Sequence, residues 1–201
     1  MLRHRLEQKS NAKDRVPPGQ HLVSNFPVLH AGPVPSFDPQ TWRLKIFGFV
    51  AAEKSYTYEE FTAGTLLPIS TVQADFHCVT TWSKLDNVWE GVKFIDLLAQ
   101  VTVHPRARYV MAHCIYGYTT NIPLDDLMRD NVVFAWRHNG ADLTPEHGYP
   151  LRLVVPHLYA WKSAKWIRGI EFLVEDTPGY WEQRGYHMYG DPWREQRYAW
   201  D

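Results

Sequence analysis

The chain has 201 residues, 45% of them hydrophobic, which is enough to bury one substantial core and leaves little room for a second independent domain. Its 21 Lys and Arg against 22 Asp and Glu leave a formal charge of -1 and a pI near 6.8. That balance excludes a bulk electrostatic case for nucleic acid or an anionic membrane, so any anion site has to be local. No apolar run approaches the roughly 20 residues of a spanning helix, so no membrane segment is expected.

Taken in order, residues 1–20 are polar and charged and end in Val16-Pro17-Pro18-Gly19, which reads as a mobile arm and not as a secretory signal; residues 21–201 then form one domain. Asn25 to Pro35 carries too many prolines for a helix or a central strand and is expected as an extended loop, either a surface strap or a wall of a ligand site. Trp42, Leu44 and Ile46 alternate with Arg43 and Lys45 as a strand that ends near Gly48. Thr57-Tyr58-Glu59-Glu60 is a capping box, predicting a short helix from Tyr58 that stops before Gly64. Phe94 to Val101 reads as a helix with Ile95, Leu98 and Val101 on its apolar stripe. Strands are predicted over Tyr109 to His113, Val132 to Trp136 and Leu151 to Val155, with a helix opened by Pro123 and a turn at His138-Asn139-Gly140. Strands and helices mixed without regular alternation indicate an α+β fold. The aromatic tail from Tyr180 to Asp201 is expected to wrap on the core.

The chemistry is sought at Ala74 to Ser83. Val72, Ala74, Phe76 and Cys78 share one side of a period-two pattern, so Cys78 points inward, and the polar run Thr80-Thr81-Trp82-Ser83 after it reads as the rim of a site. An inward thiol is either a small buried hydrophobe or a thiolate serving as soft metal ligand or nucleophile, which needs positive charge nearby. Two cysteines are too few for a disulfide framework, although a Cys78–Cys114 bridge is compatible with the sequence. His77-Cys78 and His113-Cys114 invite a zinc reading, but adjacent strand residues face opposite ways and cannot readily share an ion. Downstream, His147, Arg152, Lys162 and Lys165 converge around Gly148, Ser163 and Ala164, small residues that let a ligand near the backbone; surface cations are the alternative.

Three ordered motifs carry a resemblance: Asp75-Phe76-His77-Cys78-Val79-Thr80-Thr81-Trp82-Ser83, His147-Gly148-Tyr149-Pro150-Leu151-Arg152-Leu153-Val154-Val155-Pro156, and Lys162-Ser163-Ala164-Lys165-Trp166. Together they resemble the molybdopterin-binding domain of the sulfite oxidase family, from about Asn25 to the C-terminus. The similarity is greatest to small single-domain members related to the catalytic subunit of the bacterial protein-methionine-sulfoxide reductase. The resemblance implies mixed sheets with short helices and a molybdenum-molybdopterin cofactor, the metal being bound by the thiolate of Cys78. It further implies that Asn25, Phe26 and Val28 lie in a loop contacting the pterin and that His113 touches the cofactor. His147 and Arg152 correspond to the pterin-binding pair, and Ser163, Ala164 and Lys165 to the phosphate-and-pterin loop, whose backbone at Ser163 and Ala164 would offer N–H donors. Where sulfite oxidases carry arginines soon after the cysteine, this chain has Thr80, Thr81, Trp82 and Ser83, which points away from sulfite.

The expected function is molybdenum-dependent oxygen-atom transfer to or from a small substrate, with a neutral sulfoxide or N-oxide favoured by an aromatic mouth; the alternative is a non-catalytic carrier of the cofactor. Tyr116, Tyr118, Tyr159, Trp161 and Lys162 are the candidate pocket walls. An electron-transfer partner is expected, as are a monomeric state and a cytoplasmic location.

Overall fold

The structure is a computed structural model describing residues 12–201. Its strands are β1 (His21–Leu22), β2 (Arg43–Gly48), β3 (Lys54–Thr57), β4 (Ser70–His77), β5 (Trp82–Lys93), β6 (Tyr109–Cys114), β7 (Thr119–Pro123), β8 (Val133–His138), β9 (Ala141–Asp142), β10 (Arg152–Val154) and β11 (Ile167–Leu173). The helices α1 (Tyr58–Thr62), α2 (Phe94–Leu98) and α3 (Leu124–Leu127) are short. No helix among the described residues is long and apolar enough to cross a membrane.

Two sheets make the fold, as the α+β reading required. One has the order β3-β2-β11-β6-β7; in the other β5 is the hub, pairing with β1, β4 and β8, while β8 continues to β9 and β10. Period-two alternation decides what each face buries. From β8, Phe134 and Trp136 face the first sheet and share one core with Leu44 and Ile46 of β2 and Ile170 and Phe172 of β11. Their neighbours Val133 and Ala135 face the other way, into a second cluster with Val72, Ala74 and Phe76 of β4, Trp89 of β5, and Cys78. The sheet built on β5 is therefore buried on both faces here, and the second cluster is where the site forms.

Most local expectations hold. The Thr57 capping box is complete: Thr57 Oγ1 accepts from the Glu60 N–H at 3.1 Å, and the Glu60 carboxylate accepts from the Thr57 N–H at 2.8 Å. Helix α2 is shorter than expected and buries Phe94 and Leu97, with Ile95, Leu98 and Val101 only partly covered. Residues 12–20 are tied to the fold and do not hang free: the Arg15 guanidinium binds Asp75 and Asp86, and Gln20 Nε2 donates to the Cys78 carbonyl at 3.1 Å. The rest of the arm, residues 1–11, lies outside the described residues. The tail packs on the fold, with Gly190, Pro192 and Gln196 buried, but Trp193, Tyr198 and Trp200 are exposed, contrary to the expectation that the whole aromatic segment would be covered.

Candidate active site

Strand β4 delivers Cys78 at its end, 7% exposed, and the chain then turns at once into β5. The turn is closed by the Cys78 N–H donating to the Trp82 carbonyl at 2.9 Å and the Thr81 N–H to the Cys78 carbonyl at 3.0 Å. Thr81 adopts φ 73°, a costly conformation for a β-branched residue, so the turn is held by its surroundings. His21 N–H donates to the Thr81 carbonyl at 2.8 Å, and the Arg197 guanidinium from the tail donates to the Val79 carbonyl at 2.7 Å. Burial pushes the Cys78 thiol up; the Thr80 hydroxyl, which donates to Sγ at 3.1 Å, backbone N–H groups of Thr80 and Val79, and the charge of Lys165 act against it. Cys114, by contrast, is packed in the main core and both thiols are free, so no disulfide joins them. Among the described residues no group of three or more His, Cys, Asp or Glu is placed to hold a metal ion, which removes the zinc reading there.

Beside Cys78 lies a cavity of about 320 Å³, lined by residues that include Phe26, Cys78, His147, Arg152, Ser163, Ala164 and Lys165. Among the described residues no Asp or Glu lines it. Arg152 is carried in by β10 on the same face as Val154 and is 2% exposed. Its guanidinium donates to the His147 carbonyl at 2.9 Å and the Ser163 carbonyl at 3.1 Å, and lies 5.6, 5.1 and 5.3 Å from the ring centroids of Phe26, Phe76 and Trp89. Its Nε has no hydrogen-bond partner among the described residues. Burial lowers the Arg152 pKa to about 9, still charged at neutral pH. Lys165 donates to the Leu29 and Glu146 carbonyls at 2.7 and 2.6 Å; an ammonium has three donors, so one is left over. Burial, then the charge of Arg152, bring its pKa down to about 7. The loop at Gly148 is close-fitted: φ is +112°, and a Cβ there would meet Arg152 and Lys165 side-chain carbons at 3.0 to 3.2 Å.

His147 stacks on Phe26 with ring centroids 4.4 Å apart. Its Nε2 donates to the Phe26 carbonyl at 3.1 Å, so Nδ1 is the acceptor for the Thr144 hydroxyl at 2.9 Å. Both ring nitrogens are thus used within the protein, and the ring contributes shape and a stacking surface. Ser163 is committed likewise: its Oγ accepts from the Val155 N–H at 2.9 Å and its own N–H donates to the Ala160 carbonyl at 3.1 Å. The backbone donor expected at Ser163 is therefore occupied.

Three expected site residues are placed elsewhere. His113 sits on the outward face of β6, opposite the inward Ala112 and Cys114, with Nε2 2.8 Å from Glu171 Oε2 and its ring against Phe47. Asn25 and Val28 are exposed and do not line the cavity, although Phe26 between them does. Of the proposed walls, Tyr118 and Trp161 line it. Tyr116 is 66% exposed, and Tyr159 and Lys162 are fully buried behind it. The Tyr118 hydroxyl donates to the Trp161 carbonyl at 2.6 Å, and Trp161 is fixed in turn by Nε1 donating to Glu182 at 2.7 Å. Trp181 and Tyr186 of the tail, expected to pack on the core, also line the cavity and stack at 4.8 Å. Their signal was the density of aromatics after Tyr180, taken for core packing.

The site therefore offers a sulfur, a buried guanidinium with no carboxylate partner among the described residues, an ammonium, and aromatic walls around them. The oxidoreductase molybdopterin binding domain family matches residues 31–181. A Bacillus subtilis (strain 168) protein described as the uncharacterized oxidoreductase YuiH is 49% identical over 195 residues, 96% of this chain and 97% of that one. A putative protein-methionine-sulfoxide reductase subunit, YedZ1, of Azospira oryzae is 29% identical over 154 residues, 76% of this chain and 57% of that one. Among solved structures, the sulfane dehydrogenase SoxCD from Paracoccus pantotrophus superposes with a TM-score of 0.65 at 25% identity over 73% of this chain, which spans 41% of that chain's length. The match over residues 31–181, three quarters of the sequence, together with the shared mixed-sheet fold, makes this chain a member of the oxidoreductase molybdopterin binding domain family and an enzyme of the sulfite oxidase type, with molybdenum-molybdopterin as its cofactor.

Proposed function

We propose that the enzyme reduces small neutral sulfoxides or N-oxides. The observation that carries this reading is the cavity wall near Cys78: Thr80, Trp82, Tyr118, Trp161, Trp181 and Tyr186 line it, and none is a cation. The two cations that do line the cavity, Arg152 and Lys165, are already partly committed to backbone carbonyls. A small dianion such as sulfite would have to be desolvated against aromatic rings and would compete with the anionic cofactor for the same two cations. A neutral S=O or N–O group pays little of that cost. The names of the Azospira and Paracoccus relatives, a putative methionine-sulfoxide reductase subunit and a sulfane dehydrogenase, also support chemistry at sulfur.

The residues fit the cofactor. Arg152 is a buried cation with no carboxylate partner among the described residues, and with the spare donor of Lys165 it would hold the phosphate of the pterin. The His147–Phe26 stack presents a flat face beside it. Cys78 Sγ would tie the metal to the protein. When bound, the cofactor supplies a metal that cycles by two electrons and exchanges an oxygen atom with substrate. The chain holds it, keeps water off with its aromatic wall, and orients the substrate. For a sulfoxide the balance is one sulfoxide, two electrons and two protons giving sulfide and water, with electrons from a separate partner protein. A cytoplasmic location and a monomeric state are proposed with it.

The test is turnover by molybdenum-loaded protein with a reduced viologen dye. Oxidation of the dye by dimethyl sulfoxide, methionine sulfoxide or trimethylamine N-oxide, with sulfite inert toward an oxidised acceptor, is the expected result. Sulfite turnover above sulfoxide turnover overturns the reading, and no turnover with full metal favours a carrier.

A further inference from the structure

We propose that the Thr80 hydroxyl is a positioning residue for the metal's sulfur ligand: by donating a hydrogen bond to Cys78 Sγ it draws charge from that sulfur and raises the reduction potential of the molybdenum. This rests on Cys78 being the protein ligand, as proposed above.

The geometry is specific to this turn. Thr80 Oγ1 is 3.1 Å from Cys78 Sγ, two residues along the chain. The backbone around them is clamped at three carbonyls, those of Cys78, Val79 and Thr81. Gln20 donates to that of Cys78, Arg197 to that of Val79, and the His21 N–H to that of Thr81. Residues from the start and the end of the chain thus fix a three-residue turn whose own last residue, Thr81, sits at the unfavourable φ of 73°. The consequence of that clamping is a hydroxyl held against the sulfur while the rest of Thr80 is exposed at the cavity. A thiolate bonded to a metal keeps lone pairs that accept such a bond, and donors on ligand sulfurs favour the electron-rich, reduced state. A potential raised in this way suits an enzyme that must take electrons from its partner before passing them to an oxidised substrate.

Thr80→Val keeps the volume and removes the donor, and because Thr80 is exposed the substitution does not touch the core. Molybdenum content, the midpoint potential from an EPR-monitored redox titration, and the g-values of the one-electron-reduced metal are measured on wild type, Thr80→Val, Thr80→Ser and Cys78→Ser. The expected result is full metal in Thr80→Val with a lowered midpoint and shifted g-values, both returned to wild type by Thr80→Ser. Unchanged midpoint and g-values in Thr80→Val overturn the proposal while leaving Cys78 as ligand, provided Cys78→Ser alters or abolishes the signal. If Cys78→Ser leaves the signal and potential intact, the ligand assignment itself fails and the proposal falls with it.

Discussion

Arg152 of β10 lies with its guanidinium carbon 5.1 Å from the centroid of the ring of Phe76, which stands on β4 two residues before the cysteine, with β5 and β8 between the two strands. Rings on three sides compensate a cation only partly, at about 0.5–2 kcal/mol each. A charge so enclosed is costly until an anion meets it. Arg152→Met keeps the length and the aromatic packing while removing the charge. Losing one or two charge-assisted bonds to the cofactor, at about 1.5–3 kcal/mol each, is expected to lower cofactor retention at least about tenfold. In the cofactor-free protein Tm moves little, because relief of the buried charge offsets the loss of donors to the His147 and Ser163 carbonyls. Molybdenum per chain and thermal scans with and without cofactor check both halves.

Lys165 gives a pH dependence of opposite sign for folding and for cofactor loading. Its folded pKa of about 7 lies below the ordinary 10.5, so between those values the unfolded chain holds a proton that the folded chain has released. Cofactor-free stability therefore rises with pH across that window. Loading of an anionic cofactor needs the protonated ammonium and weakens above pH 7, by up to about tenfold per pH unit. Lys165→Met flattens both profiles. A loading constant that is level from pH 6 to 9 in the wild type would remove Lys165 from the anion site.

The sequence made legible those features that depend on near neighbours. The Thr57–Glu60 capping box, the alternation of β2 and the inward side of β4 all follow from spacing, and all are present. Strand β11, the centre of its sheet, was missed because a bulge between Ile167 and Gly169 breaks its alternation, burying Gly169 and Ile170 in succession. The long strand β5 was missed for the same reason: it bulges between Glu90 and Gly91, and Asp86 within it sits at φ 57°. His113 is the instructive miss. Its strand was predicted, and parity along that strand already sets it opposite Ala112, away from the core; family resemblance placed it in the site where alternation did not. At the site, Arg152 and Lys165 were found through neighbouring small residues, whereas Trp181 and Tyr186 come from some hundred residues beyond Cys78 and no local spacing announces that return.

Gly91 pairs with Ala135 of β8 directly after the bulge in β5. A Cβ there would stand 1.9 Å from the Phe134 carbonyl oxygen and 2.9 Å from the Ala135 Cα, both backbone atoms in a strand buried on both faces. Backbone in a central strand cannot step aside as a flexible side chain can. Gly91→Ala is expected to cost at least about 3 kcal/mol, the upper part of the usual overpacking range, and to lower Tm on the order of 10 °C. Thermal denaturation of the cofactor-free variant measures it; a Tm within about 2 °C of wild type would show that the two strands separate more easily than their pairing implies.

Lys162 and Glu182 form an ion pair at 2.6 Å with both side chains fully buried, and the same carboxylate oxygen accepts from Trp161 Nε1 at 2.7 Å. Lys162 also donates to both oxygens of Asn121 and to the Met188 carbonyl, so the pair pins the tail against β7 and fixes one wall of the cavity. Removing either charge leaves the other stranded in the interior, at about 3–5 kcal/mol. Glu182→Gln alone is therefore expected to destabilise by about that amount and to red-shift tryptophan emission as Trp161 loosens. The double replacement Lys162→Met with Glu182→Leu strands no charge and should recover at least half of the loss in a denaturant titration. Equal costs for single and double variants would mean that the tail is held by its aromatic packing on Trp161, Trp181 and Tyr186, with the ion pair adding only orientation.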